Sequence, residues 1–379
     1  MPTASKPMPI TAVVRGKDKS ASFHQLLALS HFDETLLSFW SDSGKPKSLF
    51  SIVIKPNMMV FVTHKNKEAV VTDPELVEML VDHIRELGFT QIAVCEAQND
   101  IGRMMKNHNV AFVAKEIGYR PNGRYQIVDL TMESVPHGYR YTDRKGKVRF
   151  WKDTVGKTWR DADFRISFAK CKTHEHDWMT LAVKNVYGCF PNPNKVCRYH
   201  IQYEIFDVTA RMLANFPVHF ALIDAWIGSD GFQGYKIGRP KRLCMLLGGP
   251  DPVAVDMETF RRAGLDFRKS RILRAVVEQR DHREYPLYQV VGDENTLFSD
   301  IVPWENIPDS VVEGIDILEE VYIAWGFINM KPGAEVVDYS LFPPKNFFSR
   351  MLVWLTKKLY SVFKATRLFK KLYGQGEKP

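Results

Sequence analysis

Cysteine is scarce in this chain of 379 residues: Cys95, Cys171, Cys189, Cys197 and Cys244 are all there are, with no C-x-x-C pair. The scarcity reads against a disulfide framework, a four-cysteine zinc site or an iron–sulfur cluster held by this chain, and toward a reducing, cytoplasmic setting. Long apolar runs are missing too. The densest window, 347–355, is interrupted by Ser349 and Arg350, short of the ~18 apolar residues that a membrane-spanning helix needs. The opening MPTASKPMPITAVVRGKDKS lacks a basic segment followed by an apolar run, so no signal peptide is expected. Nor is there a G-x-x-x-x-G-K-[ST] loop, a G-x-G-x-x-G turn or an H-E-x-x-H helix, which removes the ordinary nucleotide-binding and thermolysin-like zinc signatures.

What is present is an average globular composition, 45% hydrophobic and 25% charged, with an uneven distribution of charge. The net charge is +8, yet residues 1–344 hold 43 bases and 43 acids, whereas 345–379 hold nine bases and one acid. A neutral body gives no electrostatic footprint for duplex phosphate, so nucleic acid is not an expected partner. In the tail, Phe348, Met351, Leu352, Leu355, Leu359, Val362, Phe363, Phe369 and Leu372 recur at helical spacing among Arg350, Lys357, Lys358, Lys364, Arg367, Lys370 and Lys371. The pattern predicts a basic amphipathic C-terminal helix over 345–379, set off by Pro343-Pro344. Such a helix suits an anionic membrane surface, where each basic residue adds about 1 kcal/mol. The alternative is packing on the body or on a second subunit of a homo-oligomer.

The remainder divides into an N-terminal helical segment (1–48) and an α/β body (49–340) with its motif core at 50–270. Leu49 to Ile54 reads as a buried strand, Leu76 to Leu87 as a helix capped by Asp73-Pro74, and Gln91 to Cys95 as the next strand. This is a βαβ unit, and it predicts a two-lobed α/β fold with a mostly parallel sheet and flanking helices. Residues 120–160 suggest a β-hairpin excursion around Lys145-Gly146-Lys147. Ala162 to Phe168, His219 to Ile223 and Lys241 to Leu247 are further strands; Met179 to Tyr187 is compatible with a short helix, and Arg198 opens a longer one.

Ligands of parallel sheets bind outside the carboxyl ends of the strands. That marks Lys55, Asn57 and Glu96, then Lys170 onward, Asp224 and Asp251, as lining one shared crevice. Between residues 170 and 200 the chain adds Lys172, His174, His176, Asp177, Lys184, Asn185 and His200. Imidazoles exchange protons near neutral pH or ligate metals, and lysines hold carboxylates and phosphates or form covalent adducts. The set therefore points to a small anionic or lipid-linked substrate, or to an anionic cofactor.

Several of these residues lie in an ordered series: Ile54-Lys55-Pro56-Asn57, Thr72-Asp73-Pro74-Glu75-Leu76-Val77, Ala162-Asp163, Lys172-Thr173-His174, Met179-Thr180, Val183-Lys184-Asn185-Val186-Tyr187-Gly188, His200, and Gly249-Pro250-Asp251-Pro252-Val253-Ala254-Val255-Asp256. The series resembles the family called domain of unknown function 362. Many members of that family append a cysteine-rich ferredoxin module, which this chain lacks. The spacing of His174, Lys184 and His200 is also similar to the nickel-pincer lactate racemases. That second resemblance implies Lys184 as the tether or phosphate anchor of a pyridinium-derived cofactor, His200 as a divalent-metal ligand and His174 as the general acid/base. Lys172 joins His174 and Lys184 as a candidate catalytic residue; Lys55, Asn57, Asn185, Lys184 and Asp251 are candidate cofactor contacts. The expectation is a membrane-peripheral cytoplasmic enzyme of proton or hydride chemistry, with a non-catalytic ligand-binding or assembly protein as the alternative.

Overall fold

The computed structural model describes residues 8–312 apart from 60–65, 100–108, 144, 175, 193–194, 196–197, 200–202, 232–238, 281 and 310–311. The expected tail helix (345–379) and the candidate metal ligand His200 lie outside the described residues.

Eleven strands are described: β1 (Ile10–Arg15), β2 (Ser51–Pro56), β3 (Gln91–Glu96), β4 (Gln126–Asp129), β5 (Ser134–Thr142), β6 (Val148–Gly156), β7 (Phe164–His174), β8 (Trp178–Thr180), β9 (Phe220–Ser229), β10 (Pro240–Gly249) and β11 (Gln289–Gly292). Nine form one sheet in the order β11-β1-β10-β9-β7-β2-β3-β4, with β8 folded back on β7, while β5 and β6 make a separate hairpin. β9, β7, β2, β3 and β4 run parallel, and β10 is antiparallel to both β9 and β1. The expected mostly parallel α/β sheet with flanking helices is present.

Strand alternation distributes the core between two faces. Ile52, Ile54, Ile166, Phe168, Phe220 and Leu222 pack beneath the helices Lys19–Leu29, Phe32–Ser43, Pro74–Glu86 and Val110–Ile117. Val53, Ala169, Cys171, Ala221 and Ile223 face the segments Ala182–Asn185, Ile205–Asn215, Pro252–Arg262 and Arg271–Val277, together with the inner side of the hairpin. Covered on both sides, these strands are nearly continuous in apolar residues, as a buried parallel sheet requires. The helix starts follow the sequence: Asp73 Oδ1 accepts from Glu75 N and Asp251 Oδ1 from Val253 N, each just before a proline.

The structure departs from the sequence reading in three places. Ile10–Arg15 belongs to the sheet rather than to a helical segment, because its apolar residues are sandwiched between β10 and β11. The periodic stretch Phe23 to Trp40 is two helices, broken at Ser30-His31, where His31 takes a left-handed φ of 53°. Trp178–Thr180 is a strand pairing with Lys172–His174, so the helix after it is confined to Ala182–Asn185.

Strand order also fixes where a ligand can enter. From β2 the chain moves outward to β3 and β4, then returns to place β7 on the other side of β2 and β9 beyond it. The connecting helices accordingly lie on opposite faces to either side of the β2/β7 boundary, which is a topological switch point, the place where open sheets of this kind take ligands at their carboxyl edge.

Candidate functional site

At this boundary β7 outruns β2: Pro56, the last residue of β2, pairs with Phe168, and β7 continues to His174. The step leaves two lysine-bearing layers at the carboxyl edge of the sheet.

In the lower layer Lys55, only 1% exposed, donates to Glu96 Oε2 at 2.8 Å, to Asn185 Oδ1 at 3.1 Å and to the Pro56 carbonyl at 2.7 Å. All three ammonium hydrogens are thereby used. Asn185 completes a ring by donating to the Lys55 carbonyl (2.7 Å) and to Ser167 Oγ (3.1 Å). Ser167 Oγ in turn donates to the Ala182 carbonyl, tying the short helix to β7. Gly188 closes over this pair. A Cβ there would lie 2.6 Å from Glu96 Oε1 and 2.7 Å from Lys55 Nζ, so the approach admits no side chain.

In the upper layer Lys170 pairs with Asp224 at 2.8 Å, both buried, and Asp224 also accepts from the backbone N–H of Asp73 and Trp226. Two residues on, Lys172 Nζ meets only neutral oxygens among the described residues, Asn57 Oδ1 and the Val70 carbonyl, each at 2.6 Å. Asn57 is fixed for this by exchanging bonds with Thr72, whose hydroxyl donates to the Phe168 carbonyl. Burial, then the charges of Lys184, Lys170 and Lys55, push the Lys172 amine down to about 7. Four lysines thus converge at the switch point.

Lys184 and Asn185 project from Ala182–Asn185, a segment too short to persist alone. Asp256 anchors it by accepting from Ala182 N at 2.8 Å and Val183 N at 2.9 Å. Burial pushes the Asp256 carboxyl up to about 8 in spite of those bonds, and pushes Asp177 up to about 7. Asp177 accepts from Ser270 Oγ and Arg271 N, and Lys184 acts on it electrostatically.

His174 ends β7 at the mouth of the β7/β8 hairpin. Its Nδ1 accepts from His176 N at 3.2 Å and the two rings stand 5.1 Å apart. With Nδ1 accepting, the neutral ring carries its proton on Nε2. Trp178, two residues past His176, has a left-handed φ of 58°, a strained conformation for so large a side chain.

Of the residues expected to line one crevice, Lys55, Asn57, Glu96, Lys170, Lys172, Lys184, Asn185 and Asp224 lie together at this edge of the sheet, and Asp251 does not. Because β10 is antiparallel to β9, with Gly249 beside Ala221, its end delivers Asp251 to the amino edge. There Asp251 caps the helix Pro252–Arg262 and forms a two-point pair with Arg280 at 2.7 and 2.8 Å. Among the residues the sequence reading left out of its site set, Ser167 gave no signal, and Gly188 was visible only as part of a motif. Burial also raises the thiols of Cys171 and Cys189, so neither is a ready thiolate nucleophile.

Among the described residues no three His, Cys, Asp or Glu side chains are grouped to hold a metal. Converging ammonium groups also repel a divalent cation.

An open α/β sheet with four lysines gathered at its switch point defines the class of protein. The sequence profile described as Domain of unknown function (DUF362) matches residues 52–261, more than half of the chain, and the chain belongs to that family. It is 25% identical over 220 residues to the thylakoid-associated protein sll1697 of Synechocystis sp., an overlap of 54% of this chain and 60% of that relative. The chain therefore spans about 60% of the length of the curated relative it matches. Among solved structures it is similar to the lactate racemase apoprotein from Thermoanaerobacterium thermosaccharolyticum, with TM-score 0.40 and 11% identity over 68% of this chain and 57% of that one.

Proposed function

We propose that the crevice binds a small organic anion and that Lys172 exchanges a proton with it at a carbon next to a carbonyl or hydroxyl group. The observation that carries this reading is the arrangement of charge. Lys55 and Lys170 are answered by Glu96 and Asp224, whereas the Lys172 ammonium is held by neutral oxygens and keeps a hydrogen for a ligand. A carboxylate or phosphate oxygen arriving between Lys172 and Lys184 supplies the missing negative charge. An amine that titrates near neutrality is at once a usable base and, once protonated, a usable acid. His174, on the same strand, is the second proton carrier of the proposal.

The membrane part of the proposal rests on the basic, apolar 345–379 segment. The relative's description as thylakoid-associated is in keeping with it. The attachment proposed is peripheral, because the apolar run of that segment is broken by Ser349 and Arg350; among the described residues no helix is long and apolar enough to cross a membrane.

The test is to incubate the full chain with a panel of α-hydroxy and α-oxo carboxylates in deuterated water and follow by NMR the loss of the α-proton signal of the hydroxy acids and of the signal from the carbon next to the ketone of the oxo acids. Exchange that disappears in Lys172→Met while sulfate still binds the wild type supports the enzyme. Sulfate binding without exchange on any substrate leaves the alternative, a binding or assembly protein. Absence of both overturns the proposal.

A further inference from the structure

We infer that the β5/β6 hairpin is a second membrane-contacting element, whose outward face docks on an anionic lipid surface. The inference rests on the membrane part of the reading above but uses different residues.

Register assigns the two faces of the ribbon. Tyr139 pairs with Trp151 and Val135 with Val155; their side chains form the inner face, where Tyr139, Trp151 and Val155 are buried in the body. Arg140 pairs with Phe150, Thr142 with Val148 and Gly138 with Lys152, and these residues form the outer face. Phe150 is 73% exposed and Val148 48%, side by side on one strand with Lys152 in line and Arg140 opposite. Lys145 and Lys147 stand at the tip.

The ribbon's two described acids are both engaged. Asp143 accepts from Lys145 N, Lys147 N and Arg149 Nε, closing the turn, and Asp153 accepts from Arg198 on the inner side. That leaves an outer face of aromatic and aliphatic carbon flanked by cations with no acid among them. Phosphate oxygens at a bilayer surface complement the cations, and the acyl boundary receives Phe150 and Val148. A nucleic acid would answer the charge but leave Val148 without a partner.

The ribbon is also held stiffly. The side-chain amide of Asn215 donates to the Arg140 carbonyl and accepts from its N–H, and Gln279 does the same for Thr142. Those bonds occupy the free edge of β5 at both residues, so this edge is not open to strand addition by a second copy.

The test places an environment-sensitive fluorescent amino acid at position 150 of the full chain. Vesicles of phosphatidylglycerol and phosphatidylcholine in equal parts are expected to shift its emission to the blue, and pure phosphatidylcholine to leave it unchanged. In a second experiment Val148→Ser with Phe150→Ser, both outward-facing, lowers the vesicle partition coefficient about tenfold while the circular dichroism spectrum stays that of wild type. A silent probe on a chain that still floats with anionic vesicles overturns the hairpin and leaves the tail as the anchor. A shift produced by single-stranded oligonucleotide, or by raising protein concentration without lipid, also overturns it. A chain that floats with no vesicle removes both membrane proposals.

Discussion

Lys172 Nζ lies 2.6 Å from Asn57 Oδ1, and this neutral partner is what separates it from Lys55 and Lys170 with their carboxylates. Because burial and its lysine neighbours hold its amine at about 7, an arriving anion binds the protonated form and is lost as pH rises through that value. Sulfate, whose own charge is constant in this range, is the clean probe. Its affinity by titration calorimetry is expected to fall about tenfold from about pH 6 to about pH 8, with proton uptake that scales with buffer ionisation enthalpy. Lys172→Met should show the weak affinity throughout. Without ligand the sign for stability is opposite: a depressed amine contributes stability that is lost as pH falls through about 7, so Lys172→Met gains on wild type in acid.

The Lys55–Glu96 pair carries a different prediction, because both side chains are almost wholly buried. Removing one partner strands the other charge, which costs about 3–5 kcal/mol. Lys55→Met is therefore expected to lower the urea-unfolding free energy by about that amount. Lys55→Met with Glu96→Leu should recover much of the loss, since the pair and its desolvation cost disappear together. If the double variant is no better than the single one, the Asn185 and Pro56 bonds of Lys55 are the larger contribution.

Gly188 is required for closeness rather than for turn geometry. In Gly188→Ala the new methyl would sit 2.6–2.7 Å from Glu96 Oε1 and Lys55 Nζ, in a place where neither group has solvent to retreat into. Overpacking of this kind costs about 1–3 kcal/mol. The expected outcome is that loss in chemical denaturation, together with weakened sulfate binding as the Lys55 ring of hydrogen bonds is displaced. Gly123, which has open space at its Cβ, serves as the control, although its positive φ alone adds some strain to Gly123→Ala.

The elements that carry these residues differed in how legible they were. Leu76 to Leu87 announced itself through Asp73-Pro74 and helical spacing, and β2 and β3 through short apolar runs ending in polar residues, because local propensity and tertiary burial agree there. Asp251 looked just as much like a strand-end ligand. Only the antiparallel pairing of β10, a choice made by long-range register, sends it to the other edge. Trp178–Thr180 carried a similar ambiguity: three residues are too few to show a period, and pairing with β7 decides them. The convergence of Lys55 and Lys172, 117 positions apart in sequence, comes from the reversal of strand order at β2, which no local pattern encodes.

Asp256 offers a test of how the short helix bearing Lys184 is held. Its carboxyl, raised by burial to about 8, keeps in the native state a proton that the unfolded chain releases near pH 4. A raised acid contributes stability that is present below the unfolded value and lost as pH climbs through the folded one, so wild-type stability should decline from about pH 4 to about pH 8. Asp256→Asn removes that titration and flattens the profile. Its amide can accept one of the two N–H groups of Ala182 and Val183 but turns a donor toward the other, which costs about 1–3 kcal/mol at the acid end. At about 1.4 kcal/mol per pH unit the wild-type decline exceeds that deficit before pH 8, so the two urea-denaturation curves should converge from the acid side and cross, with Asp256→Asn the more stable at pH 8. Asp177, raised to about 7 and intact in both proteins, supplies a common decline that ends at a lower pH. A constant gap across the range would mean that Asp256 is ionised in the native state, held so by the N–H groups of Ala182 and Val183.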